Sequence, residues 1–209
     1  MKINKPKITN CYEQKLINIY EEEEINNYHF TETPNELITI KDNTFDGCIF
    51  TNIDFTNIDL VNIDLLDVIF ENCDLSNKYF DDKLINRVVF KNCKMIGTSF
   101  INSSLKDVIF DNCATRYLNL SSARINNVLY KESNLEEATF LEADIKKVYF
   151  EKTNLFRAEF IKVNLKDIDF STSNINGTIF DLNSLKGIII DRFQSENIIQ
   201  ILGVKIKDE

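Results

Sequence analysis

The sequence has little glycine, proline, histidine or tryptophan: its 209 residues include five Gly, two Pro, one His and no Trp. β-Sandwiches and barrels rely on many Gly/Pro turns, so any β-fold here must turn by other means. His29 is the lone histidine, and no Ser/His/Asp set, phosphate-binding Gly loop or zinc-ligand spacing is present. We therefore expect no enzymatic activity, no catalytic residue, no cofactor and no bound metal.

Positive charge is also scarce. The formal net charge is −9, which argues against direct nucleic-acid binding, because such binding needs a basic surface. The acidity belongs to residues 1–82, with a net charge of −11, whereas residues 83–209 carry +2. No signal peptide is visible, and no stretch approaches the ~20 apolar residues of a membrane span. We expect a cytoplasmic protein without membrane contact.

What the sequence has instead is a period of five. Every fifth residue from Phe45 to Ile190 is apolar, with the single exception of Thr115. Neither the helical period of 3.6 nor the strand period of 2 produces such a run. The residue two positions earlier is usually small or aliphatic, as in Ala123 and Ala158.

This small–x–large–polar–polar pattern resembles that of the pentapeptide-repeat proteins. The resemblance implies an all-β fold, a right-handed quadrilateral parallel β-helix in which four pentapeptides make one square coil of twenty residues. The large residue would fill the axis, and the small one would lie beside the corner. We expect an irregular N-terminal segment (1–44), about seven coils (45–190) and a C-terminal helix with a tail (191–209).

A period of twenty accompanies the period of five. The sequence positions 50, 60, 70 and so on to 180 are occupied by eleven Phe, one Tyr and two Leu. The positions midway between them, such as 65 and 75, are mostly Leu or Ile. Like residues should therefore stack on successive coils, roughly 4.8 Å apart. Asn tolerates positive φ and can bond along a stack, which predicts a corner ladder of Asn52, Asn72, Asn92 and Asn112.

Three places depart from the pattern. Lys78 and Lys83 occupy inward positions, where an unpaired charge is costly, so we predict a bulge or short loop around Ser76–Leu84. Thr115 indicates a second irregularity. The acidic run Glu21–Glu24 has two interpretations, a solvated loop or an arm that faces a partner.

The C-terminal segment differs from the repeats. Asp191 and Gln194 resemble a capping box, and the residues after them predict a short apolar helix that ends near Gly203. The open end of a solenoid needs a cap. The helix either only caps the last coil or also buries one face against a second copy, and its apolar character favours the second role.

The stretch LKGIIIDRFQSENIIQILGVKI sharpens the resemblance. It is similar to the tail of the plasmid quinolone-resistance (Qnr) proteins and their chromosomal relatives in low-GC Gram-positive bacteria, although the plasmid members' long second loop is missing. The matching residues are Asp191, Phe193, Gln194, Leu202 and Gly203. The resemblance implies a homodimer whose interface comprises Phe193, Ile198, Ile199, Ile201 and Leu202. It also implies a DNA mimic that binds DNA gyrase or topoisomerase IV and protects these enzymes from quinolones.

Two sets of outward residues are candidates for a partner surface. An apolar stripe is either ordinary β-sheet surface or an area covered by residues 1–44 or by a partner. Its members are Ile69, Val89, Ile109, Leu129 and Tyr149. The carboxylates Asp54, Asp59 and Asp64 fall on successive faces, so they cannot form an acid/base pair.

The stripe also supports an alternative function. In this hypothesis the chain is a structural or scaffolding module that binds an unidentified protein. The stacked cysteines Cys73, Cys93 and Cys113 suggest no further chemistry, since buried free thiols explain them better than a metal or disulfides.

Overall fold

The computed structural model describes residues 2–19 and 24–205. It is a right-handed, quadrilateral parallel β-solenoid of about 8 turns with a short C-terminal helix, which confirms the predicted fold class. The strands in the described residues are β1 Tyr12–Glu13, β2 Ile25–Asn26, β3 Tyr28–Phe30, β4 Ile38–Asp46, β5 Ile49–Thr51, β6 Ile58–Glu71, β7 Leu84–Lys91, β8 Ser104–Asp111, β9 Arg124–Lys131, β10 Asp144–Glu151, β11 Glu159–Phe160 and β12 Ile179–Phe180. A 3-10 helix spans Leu16–Asn18, and helix α1 spans Ser195–Ile201.

Successive coils pair in parallel at a constant offset of twenty residues. Val68 pairs with Val88, Val88 with Val108, and Val108 with Val128. Each side chain therefore lies above its counterpart in the neighbouring coil, as the twenty-residue period predicted. Because the coils repeat, equivalent outward residues form straight columns along the solenoid.

The aromatic column is the centre of the core. Successive rings from Phe30 through Tyr130 to Phe170 stack with centroid separations between 4.8 and 5.3 Å. A second column faces it, and the two meet edge to face, as at Phe90 and Phe100, whose planes cross at 69°. This arrangement suits the ring quadrupoles and buries large apolar areas, so it stabilises the fold strongly.

Non-glycine residues at the corners of the coils adopt positive φ, a backbone conformation that glycine usually supplies. The predicted Asn column is one such corner: Asn52 has φ 58° and Asn112 has φ 54°. The side-chain amide of each Asn donates to the Asn of the preceding coil, with the last link, Asn112 to Asn92, at 2.9 Å. Elsewhere even Glu137 and Arg157 accept this conformation, which non-glycine residues otherwise adopt rarely.

The solenoid begins one coil earlier than we predicted. Ile25 pairs with Phe45, Phe30 with Phe50, and Ile38 with Ile58, so the boundary at residue 45 was wrong. The early coil was hard to see in the sequence because Asn35 stands where other coils place a large apolar residue.

The predicted bulge around Ser76–Leu84 is also wrong. Tyr79 forms a parallel bridge with Ser99, so the register holds through this stretch. The Lys78 ammonium donates to the backbone carbonyl of Ile58 at 2.9 Å, and Lys83 donates to the side-chain oxygen of Asn62. The two lysine stems occupy the inward positions while their charged ends reach polar partners, which avoids the cost of an unpaired buried charge.

Thr115 causes no irregularity either. It is fully buried and in register, and its hydroxyl donates to the carbonyl of Asn134 at 2.8 Å. The register instead slips at residues 181–187, where Ser184, not Asn183, is buried and Asp181 accepts hydrogen bonds from both. The offset of twenty returns where Asp169 bridges Ile189.

Both ends of the solenoid are closed. At the N-terminal end the 3-10 helix contributes Leu16, and Ile19 follows it; both side chains are buried in the core. At the C-terminal end Asp191 and Gln194 form the predicted capping box. The Gln194 backbone N–H donates to the Asp191 carboxylate at 3.0 Å, and the Asp191 N–H donates to the Gln194 side chain at 2.9 Å.

Candidate protein-interaction surfaces

The apolar stripe is assembled as predicted, but it is not open. Ile69, Val89, Ile109, Leu129 and Tyr149 follow one another in register on adjacent coils. All five are partly or fully buried, and Leu129 is only 6% exposed.

An N-terminal strap, residues 2–11, lies beside the stripe. Asn127 donates to the carbonyl of Lys2 at 3.1 Å, and Thr9 donates to Asn27 at 2.7 Å. Asn27 and Asn127 belong to one corner column, so the strap runs along this column back towards the N-terminal end. Sequence reasoning named residues 1–44 as one possible cover of the stripe, but it did not identify this segment or its partners, because composition does not indicate where an extended segment will dock.

Two carboxylates of the same corner column hold the middle of the strap. The Asp107 carboxylate accepts the backbone N–H of Asn4 at 3.2 Å and its side-chain amide at 3.1 Å. The Asp67 carboxylate accepts the backbone N–H of Lys7 at 2.8 Å. Asp67 and Asp107 are 5% and 3% exposed, so both carboxylates are shielded from water. Arg87 lies between them in the column and forms an ion pair with Asp67 at 2.6 Å.

Hydrogen bonds decide the charge state of these two acids. Burial raises the pKa of Asp67, but bonds from Arg87 and Lys7 outweigh it and leave the pKa below its usual value. Burial likewise raises the pKa of Asp107, and donors from Asn4 and Asn127 reverse the shift. Both groups therefore accept hydrogen bonds as carboxylates near neutral pH.

The candidate carboxylates Asp54, Asp59 and Asp64 do not converge, as expected. Asp64 instead lies in a shallow acidic groove on the first coils. The groove has a volume of ≈ 650 Å³, and its acidic lining residues are Glu24, Asp42, Asp46 and Asp64. Burial raises the pKa of Asp46, and the neighbouring Asp67 charge adds to this rise. Of the acidic run at 21–24, Glu21–Glu23 lie outside the described residues.

Further along the solenoid, acids are neutralised by bases one coil away. Such ion pairs join Glu71 to Lys91 at 2.7 Å, Asp74 to Lys94 at 2.8 Å, and Glu142 to Lys162 at 2.6 Å. Each exposed pair contributes little to stability. Their effect on surface potential is larger, because each lysine cancels the charge of an acid on the neighbouring coil.

The C-terminal helix has one packed face and one exposed face. Ile198 and Ile201 pack against the core, which gives the helix a capping role. Phe193 is 87% exposed and Leu202 is 55% exposed, and exposed Leu182 lies nearby in the sequence. The predicted interface residues are thus divided between the cap and an apolar surface at the end of the solenoid.

A cleft of about 720 Å³ opens between the last coils. At this place the regular backbone hydrogen bonds between successive coils are interrupted. The N–H of Lys152 donates to the hydroxyl of Thr172 at 3.2 Å, whereas the N–H of Glu132 donates to the carbonyl of Glu151. Thr172 lacks the positive φ of the other residues in its column. Threonine is β-branched and disfavours that conformation, which explains the opening.

The stacked cysteines are part of the core. Cys73, Cys93 and Cys113 are free and buried, and each thiol donates to a backbone carbonyl at 3.3 to 3.4 Å. Across residues 2–19 and 24–205, no group of three His, Cys, Asp or Glu side chains is arranged to hold a metal ion. In the same residues no helix is long and apolar enough to cross a membrane.

Comparisons with known proteins agree with the fold. Residues 63–140 match the family profile "Pentapeptide repeat region" and residues 44–77 match "Pentapeptide repeats (8 copies)". No curated protein matches the sequence.

Solved structures with a similar chain include trypsin-treated QnrB1, a plasmid-mediated fluoroquinolone resistance protein. It is 21% identical, with 96% of this chain and 98% of that chain covered and a TM-score of 0.49. Rfr23 from the cyanobacterium Cyanothece 51142 is 19% identical, with coverages of 57% and 88% and a TM-score of 0.42. Residues 44–140 therefore consist of pentapeptide repeats by their match to the family profiles, and coils of twenty residues continue on both sides of this stretch.

Proposed function

We propose that this chain is a non-catalytic, cytoplasmic protein that binds a type II topoisomerase, DNA gyrase or topoisomerase IV, in place of DNA and protects it from quinolones. The observation that carries the proposal is the set of uncompensated carboxylates on the first coils. Asp42, Asp54 and Asp59 form no ion pair within the described residues. DNA presents a regular series of negative charges, and an acidic rod competes for the same basic surface.

The C-terminal end supports a dimeric form of this rod. Exposed Phe193 and Leu202, with the partly buried Ile199, offer an apolar surface that a second copy would cover. Ile198 and Ile201 would join the interface from its edge while they hold the helix on the core. Such a homodimer places the two acidic ends at its tips and the neutral coils at its centre.

Competition with DNA tests this proposal. Purified gyrase or topoisomerase IV, bound to a fluorescent duplex, should release the DNA as the protein is added, less readily as salt rises. A variant with Asp42, Asp54 and Asp59 changed to Asn should compete at least about ten-fold more weakly. Glu71, Asp74 and Glu142 changed to Gln or Asn provide a matched control, because these acids already have lysine partners. Failure of the parent protein to displace DNA would refute the proposal.

The ion pairs between neighbouring coils favour a second candidate function, in which the chain is a scaffolding module that binds another protein. Lys91, Lys94 and Lys162 neutralise carboxylates over most of the solenoid, which weakens mimicry on the central coils. A scaffold would leave both topoisomerases unaffected, so the same competition experiment separates the two candidates.

A further inference from the structure

The groove under the N-terminal strap has the features of a site for an extended peptide. Asp107 and Asp67 accept the backbone N–H groups of Asn4 and Lys7. The two acids are two coils apart, about 9.6 Å at the usual strand spacing, and three residues span that distance, which requires an extended chain. Because the recognised atoms are main-chain amides, the site does not demand one particular sequence.

The strap itself is held loosely. Within the described part of the chain, the backbone of residues 2–11 forms no hydrogen bond with another backbone group, and the first such bond is donated by Tyr12. The strap relies instead on side-chain oxygens and on Ile3, Pro6 and Ile8, which are partly buried. A segment bound in this way can leave without disturbing the coils beneath it.

The groove also continues past the strap. The corner column runs on from Asn127 to Lys147 and Asp167, which line the open cleft of about 720 Å³. Within the described residues the strap extends no further along this column than Lys2 at Asn127. A longer extended segment would therefore find both an acidic groove and an unfilled cleft in one line.

We propose that this corner groove is a docking site for an extended, lysine-rich segment of a partner protein, and that the strap is its displaceable occupant. The partner segment would have apolar residues facing the stripe, lysines facing solvent, and two free amides three residues apart. The strap shows this character, since Lys2, Lys5 and Lys7 are exposed. Asp107 forms no ion pair with a described residue, and Asp67, although paired with Arg87 at 2.6 Å, also interacts with the charge of Lys7. These buried carboxylates supply the complementary charge. The proposal is independent of topoisomerase binding.

A labelled peptide with the sequence of residues 2–11 tests the site. In full-length protein carrying Asn4→Pro and Lys7→Pro, the strap loses both amide donors and the groove stays intact. Fluorescence anisotropy should show the peptide binding this variant at least about ten-fold more tightly than the parent, whose tethered strap competes at high effective concentration. Adding Asp107→Asn to the variant should weaken binding about ten-fold, and a peptide with proline at the two amide positions should not bind.

Several outcomes would overturn the proposal. One is equal affinity of the folded variant for the peptide and for a scrambled version. If the variant fails to fold, hydrogen exchange on the parent gives the answer: excess peptide should accelerate exchange at the amides of Asn4 and Lys7, and unchanged protection would refute displacement. Dimers of the variant that dissociate on addition of peptide would make a second copy, not a partner protein, the occupant.

Discussion

The side-chain amide of Gln194 donates to the backbone carbonyl of Phe170, with an N···O distance of 2.9 Å. The same nitrogen donates to the carbonyl of Ser173 at 2.7 Å, and Gln194 is only 8% exposed. One side chain thus satisfies two carbonyls at the open end of the last coil and joins the aromatic column to helix α1. The C-terminal cap depends on this residue.

Gln194→Ala should therefore lower the free energy of unfolding by about 2–3 kcal/mol. The buried Ser173 carbonyl loses its donor, the Phe170 carbonyl keeps only the Ser173 N–H, and the capping bond from the Asp191 N–H is lost. Urea denaturation measures the change. Gln200 is an exposed residue of the same helix, and Gln200→Ala should change stability by less than about 0.5 kcal/mol. Equal effects of the two substitutions would show that Gln194 has no special role.

Tyr130→Phe should stabilise the protein by about 1 kcal/mol. The Tyr130 hydroxyl is fully buried with no hydrogen-bond partner in the described residues, and burial raises its pKa. Phe would keep the ring stack, 4.8 Å from Phe110 and 5.3 Å from Phe150, and would remove an unsatisfied polar group. Thermal denaturation should show a higher midpoint than for Tyr149→Phe, the half-buried control; a lower midpoint would contradict this account.

Acid should release the strap. Asp67 and Asp107 have pKa values lowered in the folded state, so their stabilising effect is present above the ordinary value of about 3.9 and is lost as the pH falls through the folded value. The protection factor of the Asn4 amide, which compares its exchange rate with that of a free peptide at the same pH, should fall as the pH drops below about 4.

Asp107→Asn should already show faster exchange at Asn4 near pH 7 and little further loss of protection in acid. The matched control is Asp59→Asn, which alters an exposed carboxylate and should leave the pH profile unchanged. Identical profiles for both variants would exclude Asp107 as the group that holds the strap.

Phe193→Asp should convert the proposed dimer to a monomer, because Phe193 is 87% exposed and a charge there would be buried on association. Light scattering should report the monomer mass, and the circular dichroism spectrum should be unchanged because the substitution leaves the cap intact. Leu37→Asp, an exposed site at the other end of the solenoid, should remain dimeric. A Phe193→Asp variant that stays dimeric would exclude this interface.

The sequence predicted the repeating part of the fold well, because each inward position recurs every five residues. Phe50 and Phe70 stack as expected, and the Asn ladder forms at its corner. Lys78 misled the prediction because residue type alone does not show that a long stem can reach the Ile58 carbonyl. The strap could not be foreseen, since its partners Asp67 and Asp107 are 60 and 103 residues away.

The most direct test of the central claim is DNA supercoiling by purified gyrase in the presence of a quinolone. We predict that adding the dimeric protein restores supercoiling at a drug concentration that otherwise inhibits it. The variant with Asp42, Asp54 and Asp59 changed to Asn should restore much less. No protection of gyrase, or of topoisomerase IV in the matching relaxation assay, by folded and dimeric protein would contradict the proposed function.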